Sequence, residues 1–216
     1  WIWLGAYNGL YRFDGQEYMP VKFPEKMEAS QVSVLYESKG RLWVGFNNGS
    51  IAFLSDVNSG IPLSTGNFEE DLRRAPSLTL WAPEEGLPGA SIKGILEDKT
   101  GALWISTYGE GLYVWKENRL YQYNVEDDAL AGNDIYAMAI DGSGRIWGAT
   151  DGGISICSMP EKGKKLVQNL TTANGLPDEI ITAISTDNQG NIWGGSNEKG
   201  VFRYNTTIKK VDIITP

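Results

Sequence analysis

Apolar residues along this chain come in runs of four to seven, rich in Val, Ile, Leu and aromatic side chains and bounded by Gly, Pro, Asn and Asp. No segment keeps the long 3.6-residue period of an amphipathic helix, so the pattern predicts short β-strands throughout. The strands fall into sets of four. A first strand is expected at Gln31–Tyr36, Ile92–Leu96, Ile135–Ile140 and Ile181–Thr186, with a small residue two places in (Ser33, Gly94, Ala137, Ala183). A second is expected at Ile2–Gly5, Leu42–Gly45, Leu103–Thr107, Ile146–Ala149 and Ile192–Gly195, and it carries a Trp in each case. The third is Leu10–Phe13, Ser50–Leu54, Leu112–Trp115, Ile154–Cys157 and Val201–Tyr204; the fourth is Glu17–Val21, Leu78–Trp81, Leu120–Tyr123, Leu166–Leu170 and Val211–Ile214.

These sets repeat with a fixed punctuation. An acidic residue, a Gly three places on and a Trp three beyond that recur at Glu37–Gly40–Trp43, Asp98–Gly101–Trp104, Asp141–Gly144–Trp147 and Asp187–Gly190–Trp193. A second Gly follows each Trp at Gly9, Gly49, Gly111, Gly153 and Gly200. The second-strand tryptophans Trp3, Trp43, Trp104, Trp147 and Trp193 stand 40, 61, 43 and 46 residues apart. Four short strands in a period of about 40–45 residues are the signature of a propeller blade. The fold class expected is therefore all-β, a β-propeller of four-stranded antiparallel blades spanning residues 1–216, with about five repeats and the first incomplete.

Each acidic-x-x-Gly step joins the first strand to the second. A carboxylate accepts backbone N–H bonds in a tight turn, and Gly supplies the positive φ. Each Trp is expected to wedge between neighbouring sheets, where burying roughly 150–250 Å² at about 25 cal/mol/Å² contributes at most on the order of 4–6 kcal/mol. One blade does not cover its own faces, so stability grows by stacking. The long interval before Trp104 implies an insertion at about residues 55–77, between the third and fourth strands of the second unit. Within it Asn67 heads either one or two helical turns or a disordered excursion. Four full blades plus three strands leave one strand missing, which predicts an arc of a larger propeller or an assembly closed by another copy of the chain.

Composition narrows the chemistry. The chain has no His, which removes the commonest general base, the Ser-His and Cys-His pairs and most zinc sites. Its formal charge of −8 argues against nucleic acid and against an anionic membrane face. The single Cys157 forms no internal disulfide and has no basic neighbour in sequence, so it is expected to be buried and inert. No apolar run is long enough to span a bilayer, so direct membrane insertion is not expected. The chain begins in mid-repeat and so reads as a piece of something longer. No catalytic residues, metal ligands or cofactor motif are expected. Glu126-Asp127-Asp128 lacks EF-hand spacing and reads as an ordinary acidic loop, and the adjacent Glu84 and Glu85 do not make a glycosidase pair.

The stretch Leu96-Glu-Asp-Lys-Thr-Gly-Ala-Leu-Trp-Ile-Ser-Thr-Tyr-Gly-Glu-Gly-Leu resembles the two-component regulator propeller repeat. So does Asn174-Gly-Leu-Pro leading into Ile181-Thr-Ala-Ile-Ser-Thr-Asp-Asn-Gln-Gly-Asn-Ile-Trp. The resemblance implies a seven-bladed propeller in the extracytoplasmic, periplasmic sensor region of a hybrid two-component histidine kinase, a membrane-anchored parent whose relatives often regulate glycan use. Gly49-Ser50 and Gly148-Ala149 depart from the repeat in ways that fit degeneracy between blades.

In a four-stranded meander the connections between blades and the loops between second and third strands emerge on one face. The latter carry Tyr7, Asn8, Asn47, Asn48, Tyr108, Glu110, Asp151, Asn197 and Glu198. The former carry Glu84-Glu85, Asn133-Asp134 and Asp178-Glu179. Aromatic rings stack on the apolar faces of sugars while amides and carboxylates take hydroxyls, so an oligosaccharide or other small ligand is the partner expected here. The acidic-x-x-Gly turns on the opposite face read as structural. Two other readings stand beside a sensor: a scaffold for protein–protein contact, and a lyase or hydrolase acting through carboxylates.

Overall fold

The computed structural model describes residues 2–24, 30–55, 57, 65–67, 69–71, 75–81, 86, 88–161 and 164–214. Five antiparallel sheets follow one another in chain order. The first holds β1 (Ile2–Ala6), β2 (Gly9–Phe13) and β3 (Tyr18–Pro20). The second is a meander of β4 (Val32–Ser38), β5 (Arg41–Phe46), β6 (Ile51–Leu54) and β7 (Thr79–Trp81). The third is built from β8 (Ile92–Glu97), β9 (Leu103–Thr107), β10 (Leu112–Lys116) and β11 (Arg119–Tyr123). The fourth takes β12 (Ile135–Ile140), β13 (Ile146–Thr150), β14 (Gly153–Glu161) and β15 (Lys164–Leu170), and the fifth β16 (Ile181–Thr186), β17 (Ile192–Ser196), β18 (Val201–Asn205) and β19 (Lys210–Ile214). The strands match those expected from the apolar runs to within one or two residues, except that β14 and β15 extend into a longer hairpin.

Two compact units divide the chain, Trp1–Ile95 and Leu96–Pro216. Within the first, Leu10 and Val21 pack with Val32, Val44, Phe46 and Leu54, with Trp3 and Phe23 against them. Within the second, Trp104 lies in a cluster with Ile135, Ile146 and Cys157 of the next sheet, and Trp147 in one with Ile181, Ile192 and Phe202 of the sheet after that. Both indoles are fully buried and wedge between successive sheets, as the repeat predicted.

The acidic turn does more than close a hairpin. Asp98 Oδ1 accepts from the backbone N–H groups of Thr100 (2.8 Å) and Ala102 (3.0 Å), while Oδ2 accepts the Trp104 indole N–H at 3.0 Å. Asp141 does the same with Ser143, Arg145 and Trp147, and Asp187 with Gln189, Asn191 and Trp193. The acidic-to-Trp spacing of the repeat is thus a hydrogen bond across the turn, a role the turn chemistry alone did not disclose. Gly101, Gly144 and Gly190 take φ of 82°, 85° and 79°, so the chain reverses with the carboxylate enclosed. In the second sheet Glu37, one methylene longer, accepts from Gly40 N–H at 3.1 Å. Trp43 is held there by the Arg41 guanidinium 5.2 Å above its ring and by an edge-on contact with Trp81 at 5.8 Å.

The small-residue alignment of the first strands needs one correction. Val34 pairs with Gly45 as Ala137 pairs with Ala149 and Ala183 with Gly195, so Val34 holds the interior place assigned to Ser33. Ser33, Tyr136 and Thr182 instead fall at β-bulges, where an unpaired residue turns a side chain out of the sheet's regular alternation. A Cβ on Gly45 would lie 2.7 Å from Val34 Cγ1, so glycine there makes room for the larger valine.

Two segments outside the strands are ordered by caps. Asn67 Oδ1 accepts from the N–H of Glu69 and Glu70 ahead of a helical turn at residues 69–71; the rest of the insertion expected near 55–77 lies mostly outside the described residues. The acidic run at 126–128 forms α1 (Val125–Asp128), capped by Asn124, with Asp128 paired to Lys165 at 2.8 Å.

Replacing Trp104 by Ala should destabilise the protein by about 3–5 kcal/mol in urea unfolding, since the indole is fully enclosed. A loss below about 1 kcal/mol would contradict its place in the core. Burial alone would raise Asp98 and Asp141, but the bonds from Trp104 and Thr100, and from Ser143 and Trp147, outweigh it and hold both below the usual carboxylate range. Asp187 is brought down to about 2 by Asn191 and Trp193. A carboxyl depressed in the folded state contributes its full stability above the ordinary value of about 3.9 and loses it as pH falls through the depressed one. Urea midpoints should therefore fall between pH 5 and 2, and less steeply in Asp98→Asn.

Candidate functional site: the loop face

Blades three to five close the turn between their second and third strands internally. Thr107 Oγ1 donates to Gly111 O at 2.8 Å, Thr150 Oγ1 to Gly153 O at 3.0 Å, and Ser196 Oγ to Gly200 O at 2.9 Å. The second blade has Phe46 at this place, and its side chain is buried in the core. Its turn reaches outward instead. Asn47 Nδ2 donates to Gln31 Oε1 at 2.6 Å, Asn48 Nδ2 to Ser30 Oγ at 2.9 Å, and Ser91 Oγ donates to Asn47 Oδ1 at 2.9 Å. Asn47 N–H adds a bond to Gln31 O at 3.1 Å. Gly49 locks the turn, with φ of 84° and a position where a Cβ would stand 2.3 Å from Pro88 O.

This network forms one wall of a groove of about 350 Å³ lined by Tyr7, Ser30, Gln31, Asn47 and Asn48. Tyr7 is 82% exposed in the turn between β1 and β2, and Asn8 beside it is exposed as well. Three of the loop residues expected to bind ligand thus share one wall-and-ring arrangement. Gln31 and Ser30 were not anticipated, because they lie in the connection before β4 and meet Asn47 and Asn48 only through the fold.

A second group forms in the Leu96–Pro216 unit. Tyr108, 52% exposed, bridges to Asp134 in antiparallel fashion, and its ring centroid lies 6.3 Å from that of Tyr136. Burial raises the Asp134 carboxyl, and the Asp151 charge raises it further against a hydrogen bond from Tyr108. Burial and then the Asp134 and Asp151 charges raise the Tyr136 phenol. Tyr136 was missed, and the signal for it is the β-bulge that turns it out of β12.

The remaining expected residues stand apart from these groups. Glu110 Oε2 accepts from Tyr113 O–H at 3.0 Å, towards β10. Asn197 N–H donates to Ile180 O at 2.9 Å, and Glu198 N–H to Asp178 Oδ2 at 3.3 Å. Glu84 and Glu85 lie outside the described residues. Among the described residues no group of three or more His, Cys, Asp or Glu could hold a metal ion, and no helix is long and apolar enough to cross a membrane. Burial pushes the Cys157 thiol up to about 12, which leaves it unreactive.

Two stretches, residues 86–109 and 175–198, match the family model described as the two component regulator propeller. These two stretches carry the two-component regulator propeller repeat. Each matched stretch runs from the lead into a blade, through the acidic turn and Trp, to the loop face. No curated protein matches the chain. Among solved structures, this chain is similar to the extracellular domain of the protein assigned as the hybrid two component system BT3049 from B. thetaiotaomicron: TM-score 0.75, 24% identity, over 98% of this chain and 27% of that one. It is also similar to PorZ of Porphyromonas gingivalis, a surface component of the type-IX secretion system: TM-score 0.66, 15% identity, over 99% and 32%. A third is a catalytically inactive His→Ala variant of virginiamycin B lyase from Staphylococcus aureus with quinupristin: TM-score 0.66, 14% identity, over 97% and 64%. At these identities the likeness shows the propeller fold, and this chain spans less than two thirds of each of the three.

Replacing Asp151 by Asn should lower the Asp134 carboxyl titration followed by carbon NMR, because after burial the Asp151 charge is what raises it. An unmoved titration would show that the two carboxylates are not close.

Proposed function

We propose that this segment is the non-catalytic, ligand-binding propeller of an extracytoplasmic sensor in a two-component regulator, and that it takes an oligosaccharide on its loop face. The observation that carries the reading is the groove bearing Tyr7, Gln31, Asn47 and Asn48, where an exposed ring stands beside amides already oriented by one another. An aromatic platform with convergent polar groups is the usual make-up of a small-ligand site. Two stretches that match the regulator-propeller model and likeness to an extracellular domain of a hybrid two component system support the sensor role and an extracytoplasmic location in a membrane-anchored parent. Remaining blades, or another copy of the chain, complete the ring.

The lyase reading has less behind it. The solved lyase variant is inactive with a His replaced, and this chain has no His. A protein scaffold would use the same face without a need for preset amides.

Thermal unfolding across a panel of plant and animal oligosaccharides tests the reading. A ligand at one hundred times its Kd stabilises the native state by about 2.7 kcal/mol, and a clear rise in Tm with at least one saccharide, with no product formed, is expected. No rise with any saccharide would contradict the ligand, and turnover would contradict the non-catalytic role.

A further inference from the structure

Among the described residues, the groove by Tyr7 is lined entirely by uncharged groups: one phenol, one hydroxyl and three amides. Its amides are already committed in one direction. Asn47 uses one N–H on Gln31 Oε1 and one lone pair on Ser91 O–H, which fixes which end of the amide is which. One N–H and one lone pair of Asn47 then remain, and the Gln31 Nε2 donors have no partner among the described residues. Donors and an acceptor on two amides joined by a hydrogen bond fit neighbouring hydroxyls, one accepting from Gln31 Nε2 and the other donating to Asn47 Oδ1. The Tyr7 ring, almost wholly exposed, offers a flat apolar surface to the C–H face of a pyranose.

Among the described residues, a carboxylate or sulfate in this groove would meet only neutral dipoles and would give up hydration without a charge to replace it. The formal charge of −8 adds repulsion at longer range. The aromatic pair of the other unit, Tyr108 and Tyr136, is flanked by Asp134 and Asp151 and is equally unsuited to an anion.

We infer that the Tyr7–Asn48 groove selects an uncharged saccharide and excludes uronate- or sulfate-bearing chains. The inference rests on the saccharide reading of the loop face and narrows its ligand class. Selection works through Asn47 and Gln31, which read hydroxyl positions, while Tyr7 supplies the stacking platform.

Isothermal titration of the protein with matched sets of neutral oligosaccharides (gluco-, xylo-, manno- and galacto-configured) and acidic ones (oligogalacturonates and sulfated glycosaminoglycan fragments) decides the matter. At least one neutral ligand should bind ten times more tightly than any acidic one. Tyr7→Ala, at a position too exposed to disturb the core, should weaken that ligand at least tenfold, as should Asn47→Ala. Gln31→Lys should weaken the neutral ligand and improve acidic ones, with circular dichroism confirming that each variant is folded. Equal or tighter binding of acidic saccharides overturns the inference and leaves the saccharide reading standing. Neutral binding unchanged by Tyr7→Ala also overturns it, by placing the site elsewhere. Silence with both sets overturns the inference and the saccharide reading together.

Discussion

A buried indole N–H that must find an acceptor sets the form of this molecule. In three successive blades an aspartate six residues earlier provides that acceptor with one oxygen and gathers turn amides with the other. For the buried Asp98 and Asp141 a bond to a charged group is worth about 1.5–3 kcal/mol, and losing it would leave a buried indole donor unsatisfied. The clamp therefore joins two demands that usually compete: a large aromatic wedge between sheets and a tight polar turn at their edge. The glycine between them follows from the reversal, and the repeat period from the need to place one wedge per sheet.

This clamp also explains where function is free to vary. It occupies the turns between first and second strands, so those turns are alike in chemistry from blade to blade. On the opposite edge the only shared demand is to close the loop before the third strand. Thr107, Thr150 and Ser196 meet it with a hydroxyl, and where Phe46 stands instead, Asn47 and Asn48 reach the preceding connection and build a groove. The departure from the repeat is local, cheap for the core, and chemically rich. Tyr136 arises from a comparable irregularity, since a bulge in β12 brings its ring beside Tyr108.

Most of the architecture was legible because its causes are local. Strand positions follow from short apolar runs, and the order of sheets follows from the spacing of Asp98, Asp141 and Asp187 to their tryptophans. Side chains that meet across connections were less legible. Tyr7, Asn47 and Asn48 could be placed on one face by meander topology, but Gln31 and Ser30 join them through pairings remote in sequence. Ser33 was assigned to an interior place that belongs to Val34, because a bulge shifts the register by one and no residue pattern marks it. Glu110 shares the face by topology, yet Tyr113 engages its carboxylate, a choice made by side-chain geometry alone.

Hydrogen exchange at the tryptophan indoles, followed by proton NMR, bears on the clamp most directly. The Nε1 protons of Trp104, Trp147 and Trp193 should be shifted by their carboxylate acceptors, and those of the fully enclosed Trp104 and Trp147 should exchange only through opening of the blades. Each should lose its shift in the matching Asp→Asn variant while the other two keep theirs. Unshifted, rapidly exchanging signals from all three in the folded protein would contradict the account.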